Sequence, residues 1–308
     1  MAIPSDAPGM IPASPHVHAA FEPSQFFYHV NWRSRAYHAG ATLTAHHGSG
    51  SDFAGFASLL ACPDPKRIDI RASVRTVPRQ WLVRTYLERA AIRVYAIVDV
   101  SSSMFFQGDA NLRQQVTEFV SALAWSVTRQ GDAFGMAAAH DVLPHAWQVP
   151  PSFQPGTAQA VAQRMTQYWQ QAEPQNHGAS AMPAAMAAVG AQRALVFLLS
   201  DFYWPEALMQ QVLQAGQPHD VMPVVLRDRT ATEGLPAFGW ARLRDMETGE
   251  VRSWMLRQGL HQRIMDHDRQ HMQALNARFL TAGTRPPLWL KPDWRAEEVS
   301  RHLMESMA

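Results

Sequence analysis

Val94-Tyr95-Ala96-Ile97-Val98-Asp99-Val100-Ser101-Ser102-Ser103 carries an unbroken apolar run straight into a cluster of oxygen ligands. Five consecutive apolar residues, β-branched or aromatic except for Ala96, read as a strand buried on both faces, the kind found inside a parallel sheet. The run ends on a carboxylate, with hydroxyls two and four residues later. Alternate residues of an extended segment point the same way, so Asp99, Ser101 and Ser103 converge on one small volume. Mg2+ prefers oxygen ligands and retains several waters, so one carboxylate with two neutral hydroxyls suits it better than a zinc cage would. An open coordination position remains for a partner's carboxylate.

Ala194-Leu195-Val196-Phe197-Leu198-Leu199-Ser200 repeats the pattern and ends on Asp201, with Pro205 soon after. Two strands thus deliver aspartates to their carboxyl ends, where ligands gather in open α/β sheets near the point at which strand order reverses. Two carboxylates about 4 Å apart at an effective dielectric of about 20 repel by about 4 kcal/mol. Such a pair needs a cation, a proton or good donors, and a divalent metal is the simplest answer consistent with the serines.

The 308 residues are 47% hydrophobic with net charge +1, enough for one large domain with an extension. A single cysteine, Cys62, excludes an internal disulfide framework and fits a reducing compartment. The N-terminal Met1-Ala2-Ile3-Pro4-Ser5-Asp6 lacks the charged start and apolar core of a leader, and no later run reaches the length of a spanning helix. The expectation is a cytoplasmic protein with no membrane insertion.

Residues 1–30 read as a tail anchored by Phe21, Phe26, Phe27 and Tyr28, and residues 31–90 as an Arg-rich pre-domain segment. From 91 to 308, strands alternate with helical patterns, which predicts an α/β domain with a doubly wound, mostly parallel sheet flanked by helices. Helices are expected over 109–130, 158–171, 181–189, 208–215 and 260–280, with a final one from about Arg295. A strand pair is expected over 133–140 and 142–149, another strand over 221–226, and a β-hairpin elaboration near 237–256.

With these loops in view, the chain resembles a von Willebrand factor A domain. Asp-x-Ser-x-Ser, a hydroxyl residue in Gly178-Ala179-Ser180, and Asp201 match the three loops of that family's metal-ion-dependent adhesion site. Gly48-Ser49-Gly50-Ser51-Asp52-Phe53, the segment from Pro63 to Ser73, Leu199-Ser200-Asp201-Phe202, His219-Asp220-Val221, Leu235-Pro236 and 245–250 resemble the family called domain of unknown function 58, from about Gly40 to about Leu256. The resemblance implies Mg2+, with Mn2+ or Ca2+ as substitutes, held by Asp99, Ser101, Ser103, Ser180 and Asp201. Where that family places threonine this chain has Ser180, which keeps the hydroxyl and loses the stiffening methyl. Thr157 in Pro155-Gly156-Thr157 competes for the position, but Ser180 precedes the helix leading into the Asp201 strand and is preferred. Such proteins are typically encoded beside MoxR-type AAA+ ATPases, which implies an adaptor or co-chaperone role in maturing a client enzyme, including metal or cofactor insertion.

Other readings are weaker. Lys66, Arg67, Arg71, Arg75, Arg79, Arg84, Arg89 and Arg93 face only Asp69 and Glu88. Pro78 breaks any continuous helix and no nucleic-acid motif accompanies the run, so an acidic protein surface is the expected contact, with Arg67 and Arg71 as partner-binding candidates. His267 and His271 lie four apart but lack the glutamate and third ligand of a metalloprotease helix, so an exposed polar face is expected. A serine hydrolase lacks its Gly-x-Ser-x-Gly elbow, and a metal-assisted hydrolase built on Asp99 and Asp201 lacks a specified base. No nucleotide-binding Gly-x-x-x-x-Gly-Lys-Ser/Thr loop is present, and a metal-free scaffold is the remaining alternative.

Overall fold

The computed structural model describes residues 23–32, 39–48, 52–106, 108–171, 177–228, 230, 234, 238–244, 246, 249–256 and 258–306. Its centre is a six-stranded sheet. In chain order the strands among the described residues are β1 (Ala39–Gly48), β2 (Asp52–Ser58), β3 (Leu82–Ala90), β4 (Arg93–Asp99), β5 (Ala133–Ala139), β6 (Gln148–Ser152), β7 (Leu195–Ser200), β8 (Asp220–Leu226), β9 (Gly239–Arg244), β10 (Val251–Leu256) and β11 (Leu288–Leu290). The helices are α1 (Ile70–Arg75), α2 (Leu112–Arg129), α3 (Thr157–Gln171), α4 (Met182–Ala187), α5 (Glu206–Gly216), α6 (Gln258–Thr281) and α7 (Ala296–Glu305).

The central sheet runs β11-β8-β7-β4-β5-β6, parallel except for the antiparallel edge strand β6. Both faces are covered. Val94, Ala96 and Val98 of β4 join a core with α2, α3 and α7, while Tyr95 and Ile97 join one with α4, α5 and α6. Each fully buried valine or isoleucine among them contributes about 1.5–3 kcal/mol relative to exposure. This is the doubly wound, mostly parallel α/β architecture expected from the alternating strand and helix patterns. The chain leaves β4 towards β5 and β6, then returns on the other side through β7 and β8, so strand order reverses between β4 and β7.

Local chemistry sets the element ends. Asn111 Oδ1 accepts the Gln114 N–H, so α2 begins at Leu112 rather than Asp109. It closes at Gly131, whose φ of 78° is the left-handed geometry that glycine adopts without cost. The strand expected over 142–149 is displaced: β6 begins at Gln148 and contains Pro150 and Pro151. Proline cannot donate to a ladder, and the sheet edge is where that is tolerated. The Arg-rich segment forms an antiparallel sheet in the order β1-β3-β2, and β9 pairs with β10 as an antiparallel hairpin.

The N-terminal segment is fastened into the domain. Phe26 is fully buried and stacks on Phe119 at 5.6 Å, whereas Phe27 is exposed and Phe21 lies outside the described residues. Arg285 forms a buried two-point pair with Asp220, at 2.8 and 2.6 Å, and also donates to the His29 carbonyl. Trp32 Nε1 donates to the same aspartate. Tyr28 donates its hydroxyl to Asp132, whose other oxygen accepts the Ile92 N–H. Burial lifts the Asp132 pKa to about 6 against these two bonds. A raised carboxyl contributes stability that is complete below its ordinary value of 3.8 and is lost as pH rises through about 6. Relative to Asp132→Asn, the wild type should therefore lose on the order of 3 kcal/mol between about pH 4 and about pH 7, measured by urea unfolding. A pH-independent difference between the two proteins would contradict the assignment.

Candidate metal centre

The parallel register of β4 with β7 aligns Val98 with Leu199, which sets Asp99 level with Ser200 and Asp201 one residue beyond. Both carboxylates therefore stand at the carboxyl end of the sheet, at the reversal of strand order where ligands collect. Asp99 is fully buried. Its Oδ1 accepts the Ser101 N–H at 2.8 Å, and its Oδ2 accepts the Ser200 hydroxyl at 2.7 Å and the Trp204 indole N–H at 2.8 Å. Oδ2 has thus used both acceptor sites.

Ser101 and Ser103 lie at the start of a 3-10 turn over Ser102–Phe105, with their hydroxyl oxygens 3.1 Å apart. Metal–oxygen bonds of about 2.0–2.1 Å put neighbouring ligands of an Mg2+ octahedron about 2.9–3.0 Å apart, so this pair spans one edge without rearrangement. The Ser200 hydroxyl, whose proton goes to Asp99, also accepts the Phe202 N–H at 2.9 Å and so ties Asp99 to the loop that carries Asp201. Asp201 accepts the Tyr203 N–H at 3.3 Å. Burial, and next the charge of Asp99, lift the Asp201 pKa to about 6 against donors that include the Ser103 hydroxyl. Asp99 is likewise raised, by burial outweighing the bonds from Ser101, Ser200 and Trp204. Two buried carboxylates that both resist ionisation have the chemistry of a cation site, because a bound cation supplies the charge they lack. The donor set fits a hard divalent ion.

The loop after β7 is built to hold Asp201 in place. Phe202 has φ of 58°, a left-handed conformation that costs a bulky residue on the order of 1–3 kcal/mol. Its ring is fully buried and packs against Trp204 and Phe279, each at a centroid distance of 5.0 Å. Next to it Tyr203 stacks on His271 and donates to Asp268, which pairs with Arg227. The face carrying His271 is therefore not the exposed one expected: it lies half-buried over the Asp201 loop. Truncation by Phe202→Ala should cost about 3–5 kcal/mol and weaken metal binding. Full metal affinity in that variant would show that the packing of Phe202 does not position Asp201.

Ser180 sits on the loop before α4, and its hydroxyl donates to Asp141 Oδ1 at 3.1 Å. Thr157 donates its hydroxyl to the Gln154 carbonyl inside its own turn. Asp141 also accepts the Gly178 N–H at 3.0 Å and lies 3.4 Å from His177 Nδ1. Partial burial opposes its charged form, but the donors from Gly178, Ser180 and His177 outweigh it and lower the pKa. His140 and His177 face each other with ring centroids 4.4 Å apart. Burial, with the nearby His177, lowers the His140 pKa. Sequence reading passed over His140, Asp141, His177, Ser200 and Trp204. The one available signal is the end of β5, where His140 and Asp141 follow Ala139, the residue level with Asp99 on the neighbouring β4. Arg67 pairs with Asp64 at 3.3 Å on the surface, Arg71 is exposed on α1, and Arg84 pairs with Asp69.

These features define the class: an α/β domain with a carboxylate and hydroxyl cluster at the switch point of its sheet. The model of the family described as protein of unknown function DUF58 matches residues 63–274, and the chain belongs to that family. The match begins after β2 and runs into α6, later at both ends than the resemblance read from the sequence. Solved structures similar to the chain include the conserved hypothetical protein BatB from Bacteroides thetaiotaomicron, with 12% identity over 70% of this chain and 98% of that one, at a TM-score of 0.42. An aerotolerance-related membrane protein from Bacteroides fragilis NCTC 9343, carrying multiple mutations to serines, shows 14% identity over 70% and 98% at 0.40. Proximal thread matrix protein 1 from the mussel byssus, with a zinc-occupied MIDAS motif, shows 16% identity over 45% and 38% at 0.33. No curated protein matches the sequence significantly. Among the described residues, no helix is long and apolar enough to cross a membrane.

Proposed function

We propose that this protein is a metal-dependent protein-interaction module of the cytoplasm, in which Asp99, Ser101, Ser103 and Asp201 hold Mg2+ and the ion takes a carboxylate from a partner. The observation that carries the reading is the convergence of two buried aspartates and two hydroxyls at the carboxyl end of the sheet, where Asp201 feels the charge of Asp99 and accepts from Ser103. When bound, the ion supplies positive charge at an otherwise acidic edge. The chain's own part is to fix the ligands: Ser200 and Trp204 orient Asp99, and Phe202 sets the turn that presents Asp201. No catalytic step is assigned to these residues.

The partner class rests on the resemblance of the sequence to proteins encoded beside MoxR-type AAA+ ATPases. The proposed role is adaptor or co-chaperone of such an ATPase in maturing a client enzyme. The test is capture of the MoxR-type ATPase from the same genome by the purified full chain, in Mg2+ and in EDTA. Capture in Mg2+ that EDTA and Asp99→Asn both abolish is expected. Capture indifferent to both would leave a metal-free scaffold. Arg67 and Arg71 are proposed to add electrostatic contact with an acidic surface. The Arg67–Asp64 pair is partly solvent-exposed, and loss of such a pair costs about 1 kcal/mol or less; Arg67→Ala should make capture weaker and less salt-dependent. Capture with an unchanged salt response would remove Arg67 from the interface.

A further inference from the structure

His140, Asp141 and His177 each offer a ligand atom, and these atoms all lie within 4.8 Å of one another. We propose that they form a second metal site, distinct from the oxygen cluster around Asp99 and selective for a borderline transition ion of the Zn2+ type. Two imidazoles and one carboxylate suit Zn2+, Co2+ or Ni2+ and are poor ligands for Mg2+. Three protein ligands leave a tetrahedral ion with one position for water or a partner's side chain.

Spacing supports the assignment. With bonds of about 2.0–2.1 Å, two ligands of a tetrahedral Zn2+ stand about 3.3 Å apart. His177 Nδ1 and Asp141 Oδ2 are already 3.4 Å apart. His140 carries a buried Nδ1 with no hydrogen-bond partner among the described residues, and its ring faces His177.

The surrounding groups hold the ligands as outer-shell partners of a metal site do. Asp141 is fixed by the Gly178 N–H and the Ser180 hydroxyl, and the His140 carbonyl accepts the Ala181 N–H at 2.9 Å. His177 is locked to Ser102 by two bonds of 2.9 Å, one from the His177 N–H to the serine hydroxyl and one from the Ser102 N–H to the His177 carbonyl. Ser102 lies between Ser101 and Ser103, so an ion on the histidines braces the loop that carries the Mg2+ ligands. Ser180 serves this second site as an outer-shell donor.

The test is a Co2+ titration of tag-free full chain in saturating Mg2+, read by the visible d–d absorption of four-coordinate Co2+. The wild type and Asp99→Asn are expected to bind one equivalent. His177→Ala and Asp141→Asn are expected to weaken binding by about 100-fold or more, given that loss of an outer-shell partner alone costs 10–100-fold. Circular dichroism checks each fold, and Asp141→Asn, which preserves shape and the Ser180 contact, serves if His177→Ala does not fold. Binding lost in Asp99→Asn but kept in the histidine and Asp141 variants would place the ion at the carboxylate cluster and overturn the proposal. Absence of Co2+ binding to the wild type would also overturn it. Neither result depends on Mg2+ binding or partner capture, which are read separately.

Discussion

Asp99→Asn is expected to abolish Mg2+ binding, weakening it by at least about 100-fold, or about 2.7 kcal/mol, while leaving the metal-free protein as stable as the wild type or more so. The asparagine side-chain carbonyl keeps the place of the oxygen that accepts Ser200 and Trp204, while its amide gives up the bond from the Ser101 N–H. Against that one bond stands the removal of a buried charge beside Asp201, whose own pKa stands at about 6 partly because of it. Breaking a structural capping interaction would lower stability without a specific effect on metal. A metal site behaves oppositely, since buried like charges are tolerated for binding and relaxed when one is removed. Isothermal calorimetry with Mg2+ and a thermal melt of the metal-free variant separate the two cases. Unchanged Mg2+ affinity would remove Asp99 from the site.

The second large effect concerns residues that carry no recognisable motif. Phe26→Ala should destabilise the protein by about 3–5 kcal/mol, because the ring is fully buried between Phe119 and Trp294. Its backbone N–H also donates to Ser126 within α2. The segment around it is held at three further places, by Asp132, Asp220 and Ser300. A truncated Phe26 should therefore shift the unfolding of the whole α/β domain rather than free a loose tail. A single urea transition with a reduced midpoint is expected. An unchanged midpoint would mean that the segment does not stabilise the domain.

These two residues show where sequence reading succeeds and where it stops. Asp99 was legible because its signal is local: a continuous apolar strand, then a carboxylate and hydroxyls at alternate positions. β7 and Asp201 were legible by the same logic, and the rule about sheet reversal brought the two strands together. Phe26 and Phe27 are equivalent anchors in the sequence, because an extended segment without flanking pattern does not reveal which side faces the core. The sheet of β1, β2 and β3 is not legible in the sequence, since its pairing joins residues far apart in the chain and the small residues of β1 and β2 give no clean alternation. β6 was displaced by Pro150 and Pro151, which argue against a strand except at an edge that topology alone defines.

The histidine cluster was invisible for a related reason. His140 and His177 are 37 residues apart in number and meet only because β5 lies beside β4 and the Gly178 loop folds back onto Ser102. The place of Ser180 before a helix points to a metal ligand. Its observed bond to Asp141 depends on a side chain that the motif does not include.

The most direct measurement of the central claim is a crystal structure of the full chain soaked in Mn2+, which substitutes for Mg2+ and scatters anomalously. One strong anomalous peak is expected within bonding distance, about 2.0–2.3 Å, of the Ser101 and Ser103 hydroxyls, with Asp99 and Asp201 bound directly or through one water. Crystals with fully accessible loops and no peak there would contradict it.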